Sequence, residues 1–432
     1  GMASDANFIS LNKTVILDKN GILKAVKLIP NKMIVFEKLR FKPDKAEGMN
    51  FGTIFKGGYI TTDVDSLDTH ADDAQGKDNR LSLIDTHGKS QSIKRENIIE
   101  MKDEGFTGEE IVQRLVENSA SFADKTAFSQ NKYLKKKKKK YLSYVRVHKP
   151  NARLITQLYQ EREPAKICNI RIDTISQILT AANIRHGANV AVVETCSGVV
   201  LGAVLERLGG NGCVVNLHNG EAPPNLFAVS HFNFPDSYWD DNLHSVPLHK
   251  LGPLLAKRSF EDEFPDEQTS KRKTSEISEV TMDIGDAVDR QSNNCDATKE
   301  ENKTHGKRKF TDEEKLAVRL ERRKNRLAHQ KRGWDILEGR KLDTFIVACK
   351  FHPTPIVLCL LELLQLSRPF VVYSEYKEPL MELFVRLSVS GVAINLQLCD
   401  TFIRQYQVLP ERTHPQVMMS SGGGFLLTGL KV

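Results

Sequence analysis

The stretch Val190-Ala191-Val192-Val193-Glu194-Thr195-Cys196-Ser197-Gly198-Val199-Val200-Leu201-Gly202 decides the fold. Its opening apolar run, with no polar alternation, reads as a strand buried on both faces. Ser197-Gly198 reads as a turn and the apolar run beyond it as a helix. The same alternation spreads outward in both directions. Helices are predicted over Thr174–Ala182, Gly198–Leu208, Thr354–Leu366 and Lys377–Leu387. Strands are predicted over Asn189–Glu194, Gly212–Leu217, Asp343–Cys349, Pro369–Tyr373, Val392–Leu398 and Gly424–Gly429. Six or seven strands in this order predict one doubly wound α/β domain with a parallel sheet covered on both faces.

The chain has 432 residues, room for two or three domains at roughly 150 residues each. Ahead of the α/β region lie the short β-prone runs Thr14–Leu17, Ala25–Ile29 and Met33–Leu39, parted by Asn20-Gly21 and Pro30-Asn31, so a small β-barrel or β-sandwich is expected. Asp63–Gln91 is polar and without periodicity, and reads as a loop or linker. Thr107-Gly108-Glu109-Glu110 is a capping box that opens a helical segment with Ile111, Leu115, Val116 and Phe122 on its apolar stripe. This segment continues through Phe128 and Tyr133, and Tyr144–Val147 reads as a strand. Ser259–Glu301 is acidic, Ser/Thr-rich and nearly free of aromatics, and such a segment cannot bury enough area to order itself. A second capping box, Thr311-Asp312-Glu313-Glu314, opens a basic, helix-prone stretch to about Lys331. The expected organisation is a β-rich domain and loop at 1–92, a helical lysine-rich connection at 93–150 and the α/β domain at 151–432. A charged, partly disordered insertion at 257–342 interrupts the last. No internal repeat is visible.

An apolar content of 40% with 27% charged residues excludes a fibrous or fully disordered chain. Pro355–Leu366, the longest apolar run, is too short for the roughly 20 residues a bilayer demands, so a buried helix and no membrane contact are expected. Gly1-Met2-Ala3-Ser4-Asp5 has no signal pattern, and secretion is not expected. Seven cysteines (168, 196, 213, 295, 349, 359 and 399) never form a Cys-x-x-Cys pair, which predicts a reducing compartment and no structural zinc. The net charge of +7 is unevenly spread. Lys135, Lys136, Lys137, Lys138, Lys139 and Lys140 are consecutive, and Lys303–Lys341 holds fourteen Lys or Arg against six acids. Concentrated positive charge suits a phosphate-backbone partner, although a solvated face or an import signal has the same composition.

In doubly wound folds the ligand meets a glycine-rich turn after the first strand. The turn here resembles that of class I S-adenosylmethionine-dependent methyltransferases, whose pattern is an acid followed by glycines two, four and six positions on. Glu194 and Gly198 fit it, while Cys196 and Val200 replace the other two glycines, and a branched side chain at Val200 crowds a place that needs bare backbone. The end of the second strand, Asn216-Leu217-His218-Asn219, has no acid for a ribose. The end of the fourth, Cys349-Lys350-Phe351-His352-Pro353, has no carboxylate for a target base. Together these predict a retained fold with a lost cofactor pocket and no catalytic residue. His186, His218, His352 and His414 lack metal-site spacing. Ser420-Ser421-Gly422-Gly423-Gly424 reads as an anion nest or a tight turn. Arg322–Arg332 has the look of a leucine-zipper basic region, but Gly333-Trp334 and a glycine-broken segment without heptads follow it.

Several stretches resemble the non-catalytic subunits of eukaryotic tRNA adenine-N1 methyltransferases, the enzymes that methylate a T-loop adenine. They are Gly108–Val112, Asp124-Lys125-Thr126 through Tyr133 and the lysine run, Glu194–Gly198, Phe351–Pro355, Arg368–Tyr373, Tyr376–Leu380, Tyr406–Pro410, Arg412–Pro415 and Ser421–Gly424. The resemblance implies a β-barrel-like N-terminal domain followed by a class I methyltransferase-like (Rossmann) domain with no working cofactor site. It also implies obligate pairing with a related catalytic subunit that binds S-adenosylmethionine, assembly of two heterodimers into a heterotetramer, tRNA as ligand and residence in the nucleus. Expected phosphate contacts are Lys135–Lys140 with Lys132 and Tyr133. Lys271-Arg272-Lys273 and Lys307-Arg308-Lys309 read better as import signals. An active methyltransferase with a degenerate motif, and a pure assembly scaffold, remain as alternatives.

Overall fold

Gly21, at φ 88°, takes the left-handed conformation that the expected Asn-Gly turn needs, and its N–H donates to Asp18 Oδ1 at 2.8 Å. It joins Thr14–Lys19 (β1) to Ile22–Lys27 (β2) as an antiparallel hairpin in the register Lys19↔Ile22. The computed structural model describes residues 7–19, 21–36, 39–56, 59–61, 93, 95–103, 108–119, 122, 127–141, 144–220, 223–224, 226–264, 312–408, 413–417, 419 and 422–432. Thr107, Thr311, Asp63–Gln91 and the part of the acidic insertion after residue 264 lie outside the described residues. The chain divides into two units, Gly1–Ile172 with Ser197–Glu206 and Leu226–Phe234, and Asp173–Cys196 with Arg207–Asn225 and Pro235–Val432.

In the first unit, the run Met33–Leu39 is not one strand. It folds back as a hairpin of Ile34–Phe36 (β3) and Leu39–Phe41 (β4). Ile54–Lys56 (β5), Tyr59–Thr61 (β6) and the distant Tyr144–His148 (β7) complete an antiparallel sheet in the order β2-β1-β7-β5-β6. Ile34, Phe36 and Phe41 of the hairpin share a core with Val15, Leu17, Phe55, Val145 and Val147, so the hairpin covers the sheet. Phe41 stacks on Phe55 at 4.3 Å. The helices Arg95–Asp103 (α1), Gly108–Glu117 (α2) and Ala127–Tyr141 (α3) follow, with Met101, Ile111 and Leu115 buried together as the apolar stripe of α2 predicts.

The second unit is built on a seven-stranded sheet. Its strands are Asn189–Glu194 (β8), Cys213–His218 (β9), Leu243–Pro247 (β10), Thr344–Ala348 (β11), Pro369–Ser374 (β12) and Ala393–Phe402 (β13), with Gly422–Lys431 beyond a small hairpin of Tyr406–Gln407 (β14) and His414–Pro415 (β15). With Gly422–Lys431 as β16, the order is β10-β9-β8-β11-β12-β16-β13, the first five parallel and β16 antiparallel to both its neighbours. The predicted strands are present. So is β10, which the sequence reading did not foresee. The apolar run at Pro355–Leu366 lies largely in the helix Pro353–Leu363, whose Ile356, Val357, Leu360 and Leu361 are buried.

Part of the charged insertion at 257–342 is helical and packed. Within 257–342, the helix Asp312–Glu338 runs straight through Gly333-Trp334, and Trp334 and Leu337 are core residues at 1% and 0% exposure. Gly333 does not break the helix. A Cβ there would stand 2.9 Å from Val246 Cγ2, so the missing side chain lets helix and sheet approach. Trp334 meets Phe260 and Phe264 edge-on at 5.9 and 6.0 Å, so the first residues of the acidic stretch are packed as well.

Candidate functional site

The turn after β8 is held from one side by β11. Glu194, buried, closes β8 opposite Ala348. Thr195 N donates to Ala348 O at 3.1 Å, the Cys196 thiol donates to the same carbonyl at 3.3 Å, and Lys350 N donates to Thr195 Oγ1 at 3.0 Å. Cys196 is wholly buried, so at this glycine position stands a side chain that ties two strand ends together.

Beyond the turn, the one surviving glycine of the pattern, Gly198, and the helical Gly202 serve packing. Gly198 sits at φ 89°, and a Cβ there would come within 2.8 Å of Val229 Cγ2 and 3.2 Å of Leu226 Cβ. A Cβ on Gly202 would lie 2.3 Å from the Phe232 ring. Val200 is fully buried. The segment Leu226–Phe232 therefore packs closely on Gly198 and on the first turns of the helix that follows it. At the end of β9, Asn216 and His218 are buried, and the strand itself carries no carboxylate. Past β11, His352 Nε2 contacts Glu382 Oε2 at 3.3 Å on the surface. Glu194 and Gly198 keep the pattern of an S-adenosylmethionine turn, and Cys196, Val200 and the end of β9 depart from it.

The other candidates prove structural. His186 bonds Leu208 O and Asn211 Nδ2, both at 3.0 Å. His414 Nδ1 lies 2.9 Å from Pro415 O. Among the described residues no group of three or more His, Cys, Asp or Glu could hold a metal ion. Gly422–Gly424 begins strand β16, and Ser420 and Ser421 of the same candidate turn lie outside the described residues. Its carbonyls are engaged, Thr401 Oγ1 donating to Gly424 O at 2.9 Å and Thr174 Oγ1 to Gly423 O at 3.1 Å.

The lysine run is helical throughout, as the C-terminal turns of α3. Successive lysines are therefore rotated about 100° and cannot all face one surface. Lys136 is exposed, and Lys137 and Lys138 are half-buried; the side chains of Lys132, Lys135, Lys139 and Lys140 lie outside the described residues. Tyr133, half-buried, packs against α2 and the turn after it. Its hydroxyl approaches Leu115 O of α2 at 3.4 Å, its ring packs on Phe122 at 5.6 Å, and the Lys137 ammonium stands over that ring at 5.1 Å.

A sheet of five parallel strands ending in the antiparallel pair β16 and β13, with helices between the strands, defines a protein of class I methyltransferase-like fold. Residues 8–283 match the Gcd10p family, and the chain belongs to that family. It is 40% identical over 443 residues to the tRNA (adenine(58)-N(1))-methyltransferase non-catalytic subunit of Mus musculus, covering 97% of this chain and 87% of the mouse protein. The Dictyostelium discoideum protein of the same description is 32% identical, over 81% of this chain and 63% of its own length. Among solved structures, a tRNA (m1A58) methyltransferase of Aquifex aeolicus superposes with a TM-score of 0.44 at 12% identity, covering 99% of each chain.

Proposed function

We propose that this chain is the non-catalytic subunit of a tRNA (adenine(58)-N(1))-methyltransferase, holding tRNA while a related catalytic subunit binds S-adenosylmethionine and modifies the T-loop adenine. The observation that carries the reading is the altered turn, where the buried Cys196 thiol donates to Ala348 O and a fully buried Val200 stands in place of bare backbone. On this reading the chain keeps the fold and leaves S-adenosylmethionine to its partner. Such a subunit retains surfaces for pairing and for RNA. RNA's deep major groove is closed to side chains, so shape and phosphate contacts dominate, and the lysine-rich end of α3 supplies them. Pairing of two heterodimers into a heterotetramer, and residence in the nucleus, belong to the same reading.

Reconstitution with the catalytic partner tests it. Calorimetry is expected to give no S-adenosylmethionine isotherm for this chain alone and one site per partner in the complex. A stoichiometric micromolar isotherm for the isolated chain would overturn the assignment. Replacing Lys135–Lys140 with alanine is expected to flatten the salt dependence of tRNA affinity by about two to four units, roughly one for each phosphate the lysines neutralise, similarly for all tRNAs. An unchanged slope in an intact complex would remove the run from the interface.

A further inference from the structure

The hairpin of β3 and β4 turns one face to the core of the N-terminal sheet, where Ile34, Phe36 and Phe41 are buried. Its other face is open. The two-residue alternation of the strands sets Val35 and Arg40 on that face as directly opposed partners, and Met33 and Lys42 continue it just beyond the paired residues. All four are exposed. Phe41, stacked on Phe55 of β5 at 4.3 Å, holds the hairpin to the sheet, so the cations of the outer face stand on a packed element. Further cations border the face, and hydrogen bonds fix their places. Lys24 Nζ, on β2, donates to Val35 O at 3.3 Å and stands 6.0 Å from the Phe36 ring. The turn that carries Lys32 is joined to the turn Pro43–Ala46, which carries Lys45, by the bond from Asn31 N to Asp44 Oδ1 at 2.9 Å. Lys32 and Lys45 are both exposed.

Five cations therefore gather on and around one short hairpin. The described acids beside them are Asp44, whose carboxylate is taken by Asn31 N, and Glu47. Glu37 and Lys38, at the tip, lie outside the described residues. Among the described residues none of the five cations is paired with a carboxylate. Arg40 and Lys42, two residues apart on one strand face, are separated by only about 6.6 Å along it, and like charges at that distance repel. A merely solvated face mixes its signs instead. Such a surface is completed by a ligand that brings regular negative charge. Protein interfaces are depleted in lysine, whereas lysine and arginine neutralising phosphates dominate the binding of nucleic acid, so an RNA backbone is the ligand this composition favours.

We infer that the outward face of the hairpin β3–β4, with Arg40 and Lys42 at its centre and Lys24, Lys32 and Lys45 around it, is a phosphate-backbone contact for tRNA, additional to the lysine end of α3. The inference rests on the tRNA-binding reading above and adds to it a surface in the β-rich part of the chain. Contact here is to phosphates and is indifferent to sequence.

The test is the double variant Arg40→Gln/Lys42→Gln in the reconstituted two-subunit complex. Both side chains are exposed and neither belongs to the core. Dissociation constants for tRNA are measured at several salt concentrations. The expected result is a salt slope shallower by about one to two units and affinity weaker by roughly tenfold, for unrelated tRNAs alike. The charge-conserving change Lys42→Arg is expected to leave the slope as it is; a loss as large as that of the glutamine pair would show that charge is not what counts, and would overturn the inference. If the glutamine pair does not assemble with the partner, Lys32→Gln/Lys45→Gln must lower the slope by about one to two units in its place. A wild-type complex that binds tRNA, beside variants of unchanged affinity and slope, overturns the inference and leaves the proposed function standing. Weaker capture of the catalytic subunit with RNA binding unchanged also overturns it, giving the hairpin to a protein ligand. A wild-type complex that fails to hold tRNA defeats the functional reading, and this inference with it.

Discussion

Replacing Gly198 with alanine tests whether the turn after β8 is filled. At φ 89° a side chain incurs about 1–2 kcal/mol of left-handed strain. The new Cβ, 2.8 Å from Val229 Cγ2 where about 3.5–4.0 Å is comfortable, adds about 1–3 kcal/mol of overpacking. Reduced freedom of the unfolded chain returns about 0.4–1 kcal/mol, leaving a net loss of about 2–4 kcal/mol. The strain belongs to the backbone alone, whereas the overpacking needs a neighbour. Val229→Ala removes that neighbour's γ-carbons. In the Val229→Ala background Gly198→Ala should therefore lose only about 1 kcal/mol, giving a coupling of about 1–3 kcal/mol. Urea unfolding of the four proteins of the cycle measures it. A coupling below about 0.5 kcal/mol would mean that Val229 does not occupy this turn, and the argument against a cofactor at Gly198 would fail.

Two further perturbations probe the second unit. Trp334→Ala should lose about 3–5 kcal/mol in the same unfolding assay, because a fully buried indole leaves Phe260 and Phe264 without their partner; a loss under about 1 kcal/mol would return the helix Asp312–Glu338 to the surface. His244, on β10 with its ring 5.9 Å from that of His329, has its pKa pushed down to about 4, chiefly by burial and then by His329 and Arg332. Its folded form stays neutral while the unfolded chain takes up a proton below about 6.5, so stability is complete above that pH and falls as pH drops toward 4. Between pH 7 and 5 this amounts to about 2 kcal/mol, and His244→Gln should abolish that part of the pH dependence; an unchanged profile would assign it to other groups.

Strands β8, β9, β11 and β12 were legible in the sequence because burial on both faces leaves an apolar run with no alternation. Leu243-His244-Ser245-Val246-Pro247 was not, since an edge strand with two polar residues and a terminal proline looks like loop, and only its neighbour Cys213–His218 makes it a strand. Gly333 misled for a related reason. Glycine usually ends helices, but here it permits a close crossing over Val246, which only the tertiary partner reveals. The loss of glycines at Cys196 and Val200 could be read directly. What packs on Gly198 and Gly202 could not, because Leu226, Val229 and Phe232 come from a different part of the chain. Tyr133 shows the same limit, its hydroxyl being directed at Leu115 O by a packing that helical periodicity does not encode.

The position of β7 has a consequence for biosynthesis. Tyr144–His148 is the central strand of the N-terminal sheet, bridging β1 through Leu17↔Val147 and β5 through Phe55↔Val145. Before it emerges from the ribosome, the β1-β2 and β5-β6 hairpins have no common neighbour, and a lone hairpin is marginal in water. The nascent sheet must therefore wait for the whole of α1–α3 to be synthesised before it can close, with Val15, Leu17 and Phe55 deprived of Val145 and Val147 meanwhile. Closure of the sheet and placement of the lysine helix are then a single event. Tyr144 follows Tyr141 by three residues, so the chain cannot complete one without delivering the other.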